Sequence, residues 1–115
     1  MIHAAHASRY HWGEVGEQVN LARGEWQVSR VYAVLGRGEP ALYHARRCLE
    51  INEANADGRE EWDLGSAYEA MARATSVAGD RAASDEWKAR AVGELVRIAD
   101  AEDRQVLEQD IATLP

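Results

Sequence analysis

The sequence predicts an all-α fold of about six helices, arranged as stacked antiparallel helical hairpins. Apolar residues recur at helical spacing through nearly every segment, and strand-like alternation is almost absent. Residues 24–36 also resemble residues 67–79, which lie 43 positions later, with arginine, valine and glycine in register at 30/73, 34/77 and 36/79. Such a period is typical of helical units that bury their apolar stripes against their neighbours. At 115 residues, the chain is predicted to form one domain spanning 1–115.

The first three helices are predicted over 3–15, 19–35 and 40–54. Gly16 should end the first helix, and Gly36 should close the second in a left-handed backbone conformation. Pro40 lies where a helix tolerates proline, in its first turn. The predicted core positions of these helices share helical spacing and are Ala5, Ser8, Trp12, Val15, Leu21, Val28, Val31, Tyr32, Leu35, Leu42, Ala45, Cys48, Leu49 and Asn52.

The last three helices are predicted over 60–78, 81–98 and 101–114, after a loop at 55–58. Gly79 should stop the fourth helix, and the carboxylates of Asp80 and Asp100 should cap the fifth and sixth. Their predicted core positions are Leu64, Ala67, Tyr68, Met71, Thr75, Ala78, Trp87, Ala91, Leu95, Ile98, Leu107, Ile111 and Leu114.

The second helices of the predicted hairpins also resemble one another. Residues 6–9, 44–47 and 87–90 align at offsets of 38 and 43. The first helix therefore corresponds to the second helix of a hairpin, which gives the order B-A-B-A-B-A when first helices are called A and second helices B. Because an unpartnered B helix leaves a flank uncovered, we expect a homodimer formed through the N-terminal helix.

Composition narrows the class of partner. The net charge is -7, and residues 51–115 hold fifteen acidic residues against seven basic ones. An acidic half repels phosphate, so nucleic acid is not an expected partner. No apolar stretch is long enough to cross a bilayer, and the N-terminus lacks a signal-peptide pattern, so we expect a cytoplasmic protein without membrane contact. The single cysteine, Cys48, lies in an apolar stripe and is expected to be a buried thiol.

The chain resembles the tetratricopeptide-repeat family over roughly residues 20–98. The residues that fit the family's small and apolar positions are Val28, Ser29, Tyr32, Gly36, Ala41 and Cys48 in one unit, and Met71, Ala72, Thr75, Gly79, Ser84 and Ala91 in the next. The 43-residue period, against the family's 34, makes this a tetratricopeptide-like array. The proline that usually closes helix B is also absent, as Glu53 and Val96 illustrate. The chain is similar as well to short uncharacterised bacterial helical proteins that carry Gly-Glu-Trp-Gln-x-Ser-Arg.

The resemblance implies a groove lined by the second and fourth predicted helices, in which a peptide or partner helix would bind. The candidate ligand-binding residues, which lie off the packing stripe, are Arg23, Trp26, Arg30, Glu69 and Arg73. Arg30 and Arg73 could hold a carboxylate or phosphate. Trp26 could anchor an apolar group, and Glu69 could bind an amine or orient an arginine. Alternatively, Arg30 pairs with Glu69 or Glu25 and only ties the helices together.

Histidines are the other candidate for chemistry. His3 and His6 share a helical face with Tyr10, and His44 occupies the position equivalent to His6 in the next B helix. A metal site would need further ligands, and no motif supplies them. The sequence therefore favours a non-enzymatic interaction module without a cofactor. A small-molecule-binding or metal-binding helical protein that uses His6 and His44 is the alternative.

Overall fold

The computed structural model describes the backbone of residues 15–115 and the side chains from residue 17 onward. Within this part of the chain the protein is all-α, as predicted. It has five α-helices where the sequence predicts about six for the whole chain: α1 (Val15–Val34), α2 (Gly38–Ala54), α3 (Asp63–Val77), α4 (Arg81–Glu94) and α5 (Ala101–Ala112), with a 3-10 turn at Leu95–Arg97. The predicted first helix, with His3, His6, Tyr10 and the expected dimer contact, lies outside the described residues.

Two glycine turns end α1 and α3 in the same way. Gly36 and Gly79 both adopt positive φ, of 75° and 93°. In each turn the glycine N–H donates to a carbonyl three residues back, and the next N–H donates to one five residues back. This is the Schellman arrangement, which satisfies the last carbonyls of a helix. The predicted ends at Gly36 and Gly79 are confirmed.

The predicted aspartate caps are also confirmed. The Asp80 carboxylate accepts a hydrogen bond from the Ala83 N–H at 3.1 Å, and Asp100 accepts one from the Asp103 N–H at 2.9 Å. Each cap satisfies a donor that the first turn of the helix leaves free. α4 and α5 therefore begin where the sequence places them.

Four local predictions are wrong. Gly16 lies inside α1 (Val15–Val34), so no helix ends at this residue. The fifth helix stops at Glu94, because the chain extends at Ile98 (φ -94°, ψ 106°) to bury that side chain before α5 begins. Leu35 is 60% exposed, since it enters the Gly36 turn after α1 has ended. Ala78 is exposed as well, at the equivalent turn after α3.

The core is built from small residues between neighbouring helices. α1 packs against α2, α2 against α3 and α3 against α4, and α1 also contacts α3. Seven alanines are buried in the main cluster, together with Cys48, Leu49 and Met71: Ala22, Ala33, Ala41, Ala45, Ala67, Ala70 and Ala74. Small side chains let helix backbones approach closely, and a Cβ added at Gly38 would lie 2.7 Å from the Ala78 backbone.

α5 is attached through a second cluster. Its Leu107 and Ile111 are buried against Ala91 and Ile98, with Trp62 and Tyr68 alongside. Gly65 gives α5 room, since a Cβ there would lie 2.6 Å from Leu107 Cδ2. This packing brings α5 beside the α1–α3 face. None of the helices that the structure describes has both the length and the apolar character needed to cross a membrane.

Candidate binding groove

Four of the five predicted groove residues meet in one cluster between α1 and α3. Trp26 Nε1 donates to Glu69 Oε1 at 3.0 Å, across the 43 residues of the repeat period. Arg73 Nε donates to Glu69 Oε2 at 2.9 Å, and Arg30 Nη1 lies 3.9 Å from the same oxygen. We call these residues, Trp26, Arg30, Glu69 and Arg73, the Glu69 cluster.

Glu69 supplies the carboxylate that the other three residues of this cluster contact. Its side chain is fully buried (0% exposed). Burial raises the pKa of the Glu69 carboxyl, while Arg73, Trp26 and Arg30 act in the opposite direction. The two oxygens already have an indole donor and a guanidinium donor, so the carboxylate is used for internal pairing.

The arginines of the Glu69 cluster also hold the end of α5. Arg73 Nη2 donates to Thr113 Oγ1 at 2.8 Å and to the Asp110 carbonyl at 3.1 Å. Arg30 Nη1 lies 3.5 Å from Asp110 Oδ1. Cations near the carbonyl end of a helix also interact favourably with its dipole. Because these contacts hold the last turn of α5 against the Glu69 cluster, α5 covers this part of the groove, which we call the closed end.

Arg23 lies apart from the cluster, near the start of α3. Its Nε and Nη2 donate to the two carboxylate oxygens of Asp63, at 3.0 and 2.8 Å. The guanidinium carbon lies 4.5 Å from the ring centroid of Trp62. The hydrogen bond to Asp63 raises the pKa of Arg23 further, against the opposing effect of burial. We call this region, around Arg23, Trp62 and Asp63, the open end.

A cavity of about 360 Å³ extends from the open end between the helices. Its walls come from α1 (Arg23, Trp26, Gln27), α2 (Cys48, Asn52), the start of α3 (Trp62, Asp63, Ser66) and α5 (Val106, Asp110). A smaller cavity of about 150 Å³ shares Trp62, Ser66 and Val106 with it and adds Asp103 and Leu107. Together they form one groove along α3 and α5.

Sequence reasoning missed several wall residues. Trp62, Asp63 and Val106 lie at helix starts or on α5, and the repeat gives no equivalent that would place them at the groove. Asn52 could have been identified from the sequence, because it is a polar residue in an otherwise apolar helical stripe. It is 1% exposed, its Nδ2 donates to the Cys48 carbonyl at 3.0 Å, and its Oδ1 has no hydrogen-bond partner within the described residues.

His44 lies elsewhere in the molecule. Its Nδ1 is 2.6 Å from Glu25 Oε2, and its ring stacks on Tyr32 at 5.7 Å between centroids. Arg47 Nε is 3.6 Å from the other oxygen of Glu25. Over residues 15–115 no group of three or more possible metal ligands occurs. Glu25 is therefore engaged with α2, and the pairing of Arg30 with Glu69 is the one the structure contains.

Cys48 lies in the wall of the larger cavity but is only 2% exposed. Burial, helped by the nearby carboxylates of Asp63, Glu25 and Glu69, raises the pKa of the thiol to about 12. A nucleophilic cysteine needs a lowered pKa. Cys48 is therefore a packing residue, as the sequence indicates.

No protein-family model matches the chain, and no curated protein or solved structure is significantly similar to it.

Proposed function

We propose that the protein is a non-enzymatic interaction module that binds a peptide or partner helix in the groove along α1, α3 and α5. The observation that carries this proposal is the cavity of about 360 Å³, whose walls include Trp26, Trp62 and Val106. Ligand sites are typically concave, of this size, and apolar with a few placed polar groups. A large apolar side chain of the ligand would enter the cavity, while its backbone lies along the groove.

A tetratricopeptide-like architecture belongs to the same proposal. The two Schellman turns at Gly36 and Gly79 are one 43-residue period apart. A second correspondence supports it: Ser29 Oγ donates to the Ala41 carbonyl, and Ser84 Oγ donates to the Ala72 carbonyl, both at 2.8 Å. Positions 29 and 72, and positions 41 and 84, are each one period apart. The same two positions are thus joined in both units, with donor and acceptor exchanged.

The five candidate residues divide into two roles under this proposal. Arg23 and Trp26 line the cavity and would contact the ligand. Arg30, Glu69 and Arg73 would act as positioning residues, because their polar atoms already bind one another and α5. Trp26 links the roles, since its ring forms a wall while its N–H binds Glu69.

The test is to fill the cavity. Ser66 lies on α3 in the wall of both cavities, so Ser66→Leu places an isobutyl group inside them. Peptides are first selected from a displayed random library on the immobilised wild-type protein, and then synthesised. Their affinities are measured by fluorescence anisotropy. We expect Ser66→Leu to weaken binding by about tenfold, equivalent to about 1.4 kcal/mol.

The control is the same substitution on the same helix outside the groove. Ser76 is half-buried on α3 and lines neither cavity. Ser76→Leu should leave peptide affinity within about twofold, well below the effect of Ser66→Leu. Selection of no peptide, or equal binding by both variants, would overturn the proposal.

A further inference from the structure

The charges along the groove are unbalanced. The charged residues that line the two cavities are Arg23, Asp63, Asp103 and Asp110, one cation against three anions. Asp63 is neutralised by Arg23 at 2.8 Å, and Asp110 is partly neutralised by Arg30 at 3.5 Å. Asp103 is the member of this set with no ion pair in the part of the chain that the structure describes. The groove therefore has a carboxylate without an ion pair at the smaller cavity, in the first turn of α5.

The nearest basic residue along the chain does not compensate Asp103. Arg104 donates to the Ile98 carbonyl at 3.0 Å, and its Nε lies 3.9 Å from Glu108. It lines neither cavity. The backbone N–H of Asp103 is used by the Asp100 cap, whereas the residue is exposed and lines the smaller cavity.

Asn52 makes an independent contribution in the larger cavity. Its Nδ2 is committed to the Cys48 carbonyl, which fixes the amide orientation. Its buried Oδ1 therefore has no partner among the described residues. A buried polar atom without a partner costs free energy, and a ligand that donates to it would remove that cost. The Asp103 carboxylate and Asn52 Oδ1 are both acceptors.

We infer that the groove selects a cationic ligand with an apolar body, which in a peptide means a lysine or arginine next to a large apolar side chain. This inference rests on the proposed function and names the chemistry of its ligand. The apolar side chain occupies the larger cavity between Trp26 and Trp62. The neighbouring cation lies at Asp103, across the wall that Ser66 and Val106 share between the cavities. An N–H donor at the inner end of the apolar group suits Asn52.

The net charge of the molecule favours the same ligand. The chain carries a net charge of -7, so a cationic peptide is attracted from a distance while an anionic one is repelled. Electrostatic attraction of this kind raises the association rate and discriminates between partners. Val106 is 59% exposed beside the groove and supplies apolar surface for the stem of a lysine or arginine.

The test compares two capped dipeptides, N-acetyl-Trp-Lys-amide and N-acetyl-Trp-norleucine-amide, which differ by a charge on stems of similar length. Binding to the full chain is measured by NMR titration at low salt. The lysine peptide should bind wild-type protein about fivefold more tightly, the upper range for a partly exposed ion pair. Asp103→Asn should reduce this preference to about twofold or less, and higher salt should weaken it.

Glu102→Gln is the matched control. It removes the same charge from the first turn of α5, but Glu102 lines neither cavity. It should keep the preference for lysine. Equal binding of the two dipeptides, with both lost in Ser66→Leu, would overturn the cationic ligand while leaving the groove as a binding site. Binding of neither dipeptide at millimolar concentration, or a preference unaffected by Asp103→Asn, would also overturn it.

Discussion

The two ends of the groove use the same residue types and differ in what covers them. At the closed end, Arg73 binds a fully buried glutamate and the last turn of α5. At the open end, Arg23 binds Asp63 in a bidentate pair, but the arginine side chain is 37% exposed. Each end therefore pairs an arginine with a buried carboxylate, but the Arg23 side chain is 37% exposed and the Arg73 side chain only 11%.

This difference assigns the two pairs different roles. Removing one partner of a buried pair leaves an uncompensated charge in a medium of low dielectric constant. At the open end Asp63 is also buried, but the Arg23 side chain is 37% exposed, so water can replace part of a lost guanidinium and the cost of breaking the pair should be smaller. The closed end is accordingly suited to fixing the position of α5; under the proposed function, the open end would exchange internal contacts for contacts with a ligand.

The largest expected effect comes from breaking the closed end. Glu69→Leu introduces an apolar side chain of similar volume and removes the acceptor for Trp26 Nε1 and Arg73 Nε. Arg73 is then a largely buried cation without its carboxylate. We expect the free energy of unfolding to fall by about 3 kcal/mol, as measured by urea denaturation.

The matched substitution at the open end is Arg23→Met. Asp63 keeps the hydrogen bond from the Glu60 N–H at 2.7 Å, and water can reach the position of the guanidinium. The expected loss is about 1 kcal/mol. If Arg23→Met lowers the free energy of unfolding as much as Glu69→Leu does, coverage by α5 does not distinguish the two ends.

The sequence predicts one part of this comparison well. The 43-residue period in the sequence predicts that Trp26 and Glu69 lie at corresponding positions, and in the structure they are hydrogen-bonded across two helices that contact one another. The glycine turns and aspartate caps follow from local chemistry, since each depends on a single residue type at a helix end.

The sequence does not predict what α5 covers. Its stripe of Leu107 and Ile111 predicts a helix, but the surface on which that stripe packs depends on long-range contacts with Ala91 and Ile98. The pair between Arg23 and Asp63 spans 40 residues and does not match the repeat period. Both depend on where α3 begins and how α5 docks, which no local pattern encodes. The open end was therefore found only in the structure.

A second, smaller effect tests the docking of α5. In Gly65→Ala the new Cβ would lie 2.6 Å from Leu107 Cδ2 and 3.1 Å from Glu94 Cβ, so either the buried Leu107 side chain or α5 itself must shift. We expect a loss of about 2 kcal/mol in the free energy of unfolding, measured by thermal and urea denaturation.

Gly93→Ala is the control for helix propensity. A Cβ at Gly93, near the end of α4, would meet no atom within 4 Å, so the substitution should stabilise the protein by about 0.5 kcal/mol. The two changes are chemically identical and should have opposite signs. A stabilising Gly65→Ala would mean that the Leu107 side chain can move aside without weakening the packing of α5.

The smallest expected effect is a change in how the free energy of unfolding depends on pH, caused by Glu69 at the closed end. Burial raises the pKa of the Glu69 carboxyl above its ordinary value of 4.5. As the pH falls from neutral through the raised pKa towards 4.5, the folded protein takes up this proton before the unfolded chain does, and so gains stability. Glu69→Gln cannot take up the proton, so the free energy of unfolding of the wild type should rise relative to this variant as the pH falls. Urea denaturation of both proteins over this range measures the difference, and the other carboxylates, which are common to both, cancel. If the difference instead falls with decreasing pH, Arg73 and Arg30 outweigh burial, and Glu69 is held as a stabilising carboxylate.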